Sequence, residues 1–216
     1  YLILTFVVGL GIALLINQIK NSFFKSTLKI VVFLPVITLT VAACLIWQWM
    51  YVPGLGIINY LLSLVNLGPF LFLASSSSAI LSVVYVTTWK WVGINIIIFL
   101  AGLNSIPKEY YEAANIDGAG KKDIFLKITL PLLTPTIEYV CVTTIVAGVQ
   151  IFTEIFILTS GGPGTASRLL SLHIFEVGFK YLRMGQASAV AFVLFSFILL
   201  LTALQLRFFK KGNAYN

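Results

Sequence analysis

Residues 79–103 read AILSVVYVTTWKWVGINIIIFLAGL, an apolar run interrupted by a single charge, Lys90. A helix needs roughly 20 predominantly apolar residues to cross a bilayer, so this stretch is long enough by itself. In lipid, backbone groups must be paired within their own segment or in a closed barrel. Barrel strands alternate in polarity, whereas Ile94 to Leu100 is apolar throughout except at Asn95. The stretch is therefore a helix, and the chain is predicted to be all-α.

Working outward, four more segments read as spans: Leu2 to Ile16, about Ile30 to Tyr51 with Pro35 near its start, Leu130 to Thr159, and about Ser188 to Phe209. The composition agrees. Of 216 residues, 59% are hydrophobic and only 10% charged, where a soluble domain carries about 25%; the mean hydropathy is +1.01. So few charges cannot cover a water-exposed surface, and membrane lipid takes part of that role. The expected architecture is a polytopic transmembrane helical bundle forming one domain, residues 1–216. The sequence opens with Tyr1 inside an apolar run, so an N-terminal span is expected to be missing from it.

The net charge of +7 does not point to nucleic acid, because the basic residues cluster between spans. Lys20, Lys25 and Lys29 follow the first span, and Lys108, Lys121, Lys122 and Lys127 follow the third. Arg207, Lys210 and Lys211 lie at or beyond the fifth. Ten of the fourteen cations thus fall on one side, which should be the cytoplasm. The opposite loops hold Arg168, Lys180 and Arg183. There, Ile57 to Leu64 and Leu169 to Leu182 are amphipathic enough to lie on the membrane surface or against the bundle, and Gly161 to Gly164 (GGPG) is a turn that ends the fourth span. Cys44 and Cys141 fall inside spans, where a thiol acts as a small hydrophobe. No metal-ligand spacing or catalytic constellation is expected.

The longest basic-side loop, residues 106–135, reads IPKEYYEAANIDGAGKKDIFLKITLPLLTP. Pro107 suits a first helical turn, with Glu109 and Glu112 near the positive end of the helix dipole. Ala113 and Ala114 keep one face flat. Asp117 and Gly118 break the helix, Gly118 supplying the positive φ of the bend, and Ala119 to Leu130 restarts it. Tyr110, Tyr111, Ile116, Ile124 and Phe125 place apolar bulk on a loop that would otherwise prefer water, and such patches mark partner sites. The reading is a helix–Gly–helix elbow for coupling to a soluble partner.

This loop resembles the EAA loop of ABC importer permeases: E-A-A, three residues, G, nine residues, I-x-L-P. Glu112, Ala113, Ala114, Gly118, Ile128, Leu130 and Pro131 occupy every defined position. Shorter stretches, among them residues 33–35 (FLP), 47–49 (WQW), 89–93 (WKWVG), 100–103 (LAGL) and 159–163 (TSGGP), are similar to the carbohydrate-uptake subfamily of maltose and glycerol-phosphate type. The resemblance implies a permease, not itself an enzyme, in a bacterial or archaeal plasma membrane. It also implies a second permease subunit, two cytoplasmic ATPase subunits that use ATP and Mg and receive the elbows, and an extracellular solute-binding protein. The chain itself would carry no cofactor. Residues 118–122 (GAGKK) only superficially resemble a phosphate-binding loop: with Gly120-Lys121 as its G-K pair, Asn115 replaces the first Gly and Lys122 the Ser or Thr.

Polar groups inside spans face cavities or partners. Trp91, Asn95 and Gln150 are the leading substrate-path candidates, since aromatic faces stack on sugar rings and amides bond hydroxyls. Glu154, Lys90 and Thr40 complete the set; for Lys90 the plainer roles are pairing with Glu154 or snorkelling. Rival readings are a permease for another solute, such as glycerol phosphate or a charged oligosaccharide, and an ion-coupled secondary transporter or channel that needs no ATPase.

Overall fold

A computed structural model describes the backbone of residues 1–213 and the side chains of residues 1–209. Lys210 and Lys211, counted above as cations, have side chains outside the described residues. Among the described residues the structure is helical, with no strand: α1 Leu2–Asn17, α2 Ser22–Ile37, α3 Thr40–Met50, α4 Ile57–Ser63, α5 Ala79–Ser105, α6 Lys108–Ile116, α7 Lys121–Ile124, α8 Leu130–Leu132, α9 Thr134–Val149, α10 Thr153–Leu158, α11 Leu170–Phe175 and α12 Met184–Asn213. Wider π turns occupy Phe125–Thr129 and Glu176–Lys180.

The axle is α5. Its second half buries Val92, Ile96, Phe99, Leu100 and Leu103 against Ala13 and Ile16 of α1, Leu133, and Val140 of α9. Its first half buries Val83 and Val86 against Cys44, Trp47, Tyr51, Ile155, Leu158 and Leu172. The spacing of these residues is that of a helix packed on more than one side. Helix directions follow from the contacts. Thr5 meets Thr88 at 3.3 Å while Gly9 lies beside Asn95 and Phe99, so α1 runs parallel to α5. Gly93 faces the Val32 carbonyl, and a Cβ there would stand 2.3 Å from that oxygen; Lys90 reaches Pro35 and Val36. α2 is therefore antiparallel to α5, packed at a distance only glycine permits. Asn95 bonds Thr144 and Gly102 abuts Thr136, so α9 is antiparallel as well. The first four spans thus alternate in direction, as the basic-residue pattern requires.

Two expected spans are not single helices. α5 and Met184–Phe209 of α12 are long and apolar enough to cross a membrane unbroken. The number reaches four if each of two bent pairs counts as one span, and α1 is a shorter apolar helix. The stretch read as Ile30 to Tyr51 turns by 93° between α2 and α3, because Pro35 removes one donor from the ladder and Thr38 and Leu39 adopt extended backbone, ψ 147° and 125°. The stretch read as Leu130 to Thr159 bends by 64° at Leu133, between Pro131 and Pro135, and unwinds again at residues 150–152. The helix expected from Ala119 onward starts two residues later and widens into a π turn.

Broken helices in an apolar setting leave carbonyls that must find donors. Lys90, 1% exposed, supplies them at the first break: its ammonium donates to the carbonyls of Pro35 at 2.7 Å, Val36 at 3.0 Å and Thr38 at 2.6 Å. Thr38 Oγ1 adds a bond to Pro35 O at 2.6 Å. At the second break, Ser171 Oγ donates to Ile151 O at 2.5 Å. Lys90 therefore neither pairs with Glu154 nor snorkels. Replacing Lys90 with Met removes the donor from the part-buried carbonyls of Val36 and Thr38, at a cost of about 1–3 kcal/mol; thermal unfolding of the purified protein should show a lower midpoint, and an unchanged midpoint would remove this role.

Candidate functional site: an elbow and a polar cavity

The elbow forms as the sequence predicts. α6 begins after Pro107 and carries Glu109 in its first turn. Gly118 takes φ +75° with nothing near the position of an added Cβ, so backbone conformation alone demands glycine there. α7 then restarts from Gly120. Glu112, Ala113, Asp117, Gly118 and Pro131 are exposed, Ala119, Phe125 and Ile128 half-buried, and Ala114 buried at 8%. The flat Ala113–Ala114 pair therefore splits: Ala114 packs inward and Ala113 faces out beside Glu112. Of the five apolar residues expected to face out, Ile116 and Tyr110 do, at 87% and 52% exposed, whereas Tyr111, Ile124 and Phe125 are half-buried because they pack back onto the elbow's own second arm. The elbow is braced from behind by Tyr111 Oη, 3.3 Å from Thr129 Oγ1, and by a surface ion pair between Lys127 and Asp123 at 2.8 Å.

The cavity lies where α5, α9 and the unwound segment meet. Its volume is about 440 Å³, within the range of small-molecule sites. Four of the six substrate-path candidates, Trp91, Asn95, Gln150 and Glu154, line it. Lys90 and Thr40 do not: Lys90 is committed to the α2 break, and Thr40 sits half-buried at the start of α3. Asn95 Nδ2 donates to Thr144 Oγ1 at 3.0 Å, tying α5 to α9. Trp91 Nε1 donates to Glu154 Oε1 at 2.9 Å, tying α5 to α10. Gln150 is exposed at the end of α9, its side chain freed by the unwinding there.

Sequence reasoning passed over Tyr1, Thr87, Thr143, Thr144 and Thr153, which also line the cavity. Thr87 and Thr143 had a legible signal. Thr87, Trp91 and Asn95 recur every four residues on one stripe of α5, and Thr143, Ala147 and Gln150 recur on one stripe of α9. A search for polar residues in helical register with Asn95 and Gln150 finds both.

A helical bundle with an exposed Gly-bent elbow at one end and, within its apolar body, a largely apolar cavity carrying a few polar groups such as Asn95, Gln150 and Glu154 has the make-up of a membrane permease component. Residues 5–211 match the family described as binding-protein-dependent transport system inner membrane component, and the chain belongs to that family. It is 37% identical over 195 residues to the probable ABC transporter permease protein YurN of Bacillus subtilis, covering 89% of this chain and 65% of that protein. It is 32% identical over 212 residues to the arabinooligosaccharides transport system permease protein AraP of the same organism, covering 96% and 68%. The chain thus spans about two thirds of the length of these curated relatives. Among solved structures it superposes, with a TM-score of 0.84 and 25% identity over 94% of its length and 71% of the other chain, on a bacterial alginate ABC transporter in complex with an alginate pentasaccharide-bound periplasmic protein.

The Asn95–Thr144 bond is testable without substrate. Thr144→Val should lower stability by about 1 kcal/mol, the usual worth of an interhelical hydrogen bond in a bundle. Denaturant titration in detergent measures it, and an unchanged midpoint would show that the bond contributes nothing.

Proposed function

We propose that the chain is the pore-forming subunit of an ATP-driven, binding-protein-dependent importer of a sugar or oligosaccharide in a bacterial or archaeal plasma membrane. One observation carries the reading. The elbow is the connection between α5 and α9, and those two helices form facing walls of the cavity. A push on the elbow is therefore delivered to both walls of the compartment that holds substrate. The permease relatives and the sugar named for one of them support the same assignment.

In this reading two cytoplasmic ATPase subunits, using ATP and Mg, each grip an elbow, one from this chain and one from a second permease subunit. Glu112 and Asp117 supply charge, Ala113 lets the partner approach, and Ile116 and Tyr110 fill its cleft. Phe125, Ile128 and Pro131 join the elbow to α9. Nucleotide binding closes the ATPase pair and shifts the bundle between two packed arrangements, the coupling being their free-energy difference. An extracellular solute-binding protein delivers sugar to the outer mouth. Trp91 stacks on a sugar ring while Asn95, Gln150 and Glu154 bond hydroxyls.

The experiment is purification of the complex from its native membrane, identification of the co-purifying subunits, and uptake in proteoliposomes. ATP-dependent uptake with ATPase subunits present is the expected result; uptake driven by an ion gradient in their absence would overturn the reading. Gln150→Ala should lower uptake several-fold while the complex assembles normally, and unchanged kinetics would remove Gln150 from the path. Gly118→Val forces a β-branched residue into left-handed backbone at about 1–2 kcal/mol. Stimulation of ATP hydrolysis by substrate should be lost while the bundle stays folded, its melting midpoint lowered only by the few degrees that this strain implies.

A further inference from the structure

The cavity is lopsided in charge. Glu154 gives it one carboxyl group, and among the described residues no Lys, Arg or His lines it. Glu154 is 5% exposed and carries one hydrogen bond among the described residues, from Trp91 Nε1 to Oε1. Oε2 takes none, yet it is not sealed off: the enclosed side-chain oxygen without a partner is Gln205 Oε1. A buried carboxyl group with one free oxygen at a cavity wall is an acceptor waiting for donors.

The basic residue next door does not balance it from inside the cavity. Lys90 directs its three N–H donors at the carbonyls of Pro35, Val36 and Thr38, and its Nζ lies 5.0 Å from the Trp91 ring centroid. The indole is thus clamped between an ammonium against its ring and a carboxyl group at its N–H. Trp91 is a fixed wall, and Glu154 is the charged group a bound molecule meets.

Resting on the carbohydrate reading above, we infer that Glu154 makes this half of the pathway selective for hydroxyl-rich substrates without acidic groups. A hydroxyl donates to Oε2 in a charge-assisted bond, roughly twice as strong as a neutral one. A uronate or phosphate instead brings a like charge against Glu154 in a partly dry site whose nearest cation, Lys90, is held behind the Trp91 ring by its bonds to the α2 carbonyls. The anionic alternative raised by the sequence depended on Lys90, and Lys90 is occupied elsewhere. The matched structure named for alginate shares the fold, so discrimination by charge has to reside in side chains such as this one and not in the backbone.

The test uses the complex purified from its native membrane and placed in nanodiscs without binding protein. Equilibrium binding is measured for a neutral panel (maltotriose, xylotriose, galactotriose) and for trigalacturonate. Wild type should bind at least one neutral trisaccharide about tenfold tighter than trigalacturonate, a difference of about 1.4 kcal/mol. Glu154→Gln should shrink that ratio below about threefold, and Glu154→Asp, which keeps the charge, should retain it; co-purification of all subunits confirms assembly of both variants. The ratio is the readout, whichever way neutral affinity moves. Equal binding of acidic and neutral sugars by wild type, or a ratio unmoved in Glu154→Gln, overturns charge selection and leaves the carbohydrate reading standing. Failure of every sugar to bind wild type, with no ATP-driven sugar uptake, overturns both.

Discussion

Everything in this bundle is organised by one requirement: a carbonyl or N–H removed from water must be paired. Apart from the bend at Leu133, the chain unwinds its helices around Thr38–Leu39 and across residues 150–152, and each of these breaks leaves main-chain carbonyls that another segment must pair. Lys90 settles the first, with Thr38; Ser171 meets the exposed carbonyl of Ile151 at the second. A lysine with 1% exposure would be costly as a free charge. As a three-fold donor to carbonyls at the negative end of α2, it is placed where the helix dipole favours a cation.

The two breaks have different outcomes. The first is closed up and packed, with α2 held against α5 at the spacing set by Gly93. The second is left partly open and becomes a wall of the cavity. Irregular backbone at membrane depth is tolerated where it lines a cavity, so the unwinding that puts Gln150 and Glu154 at the cavity wall is the same unwinding that a lipid-facing helix could not sustain. The seams around this compartment are side-chain bonds, Asn95 to Thr144 and Trp91 to Glu154, whereas α2 and α5 meet backbone to backbone.

Much of this was legible in the sequence. The apolar run at residues 79–103, the Pro107 start and Asp117–Gly118 break, and the clustering of lysines led to helical class, elbow and directions, because each rests on a local pattern with one physical meaning; the spacing from Glu112 to Pro131 added a family resemblance. The positive φ of Gly118 followed from its place between two helical patterns. The breaks were not legible in full. Pro35 announced a disturbance, but a 93° turn is stabilised by a lysine more than fifty positions away, and no window of sequence contains both. Lys90 was misread for the same reason: a lone cation in a span invites a ligand or an acidic partner, and its use as a donor to main-chain carbonyls shows only when α2 and α5 are side by side. Thr87 and Thr143 went unnoticed because polar residues were sought singly and not by helical register.

The separation between Lys90 and the carbonyls it serves, 52 to 55 positions along the chain, also sets an order of events during synthesis. Residues 35–38 are synthesised before residue 90 exists. Until α5 enters the bilayer alongside it, the bend at Thr38 has no ammonium to complete it. The early segment must then either wait in a more polar setting or hold a straighter form. The arrival of α5 fixes the corner, so the hairpin it belongs to matures backwards, its first half finished by its last.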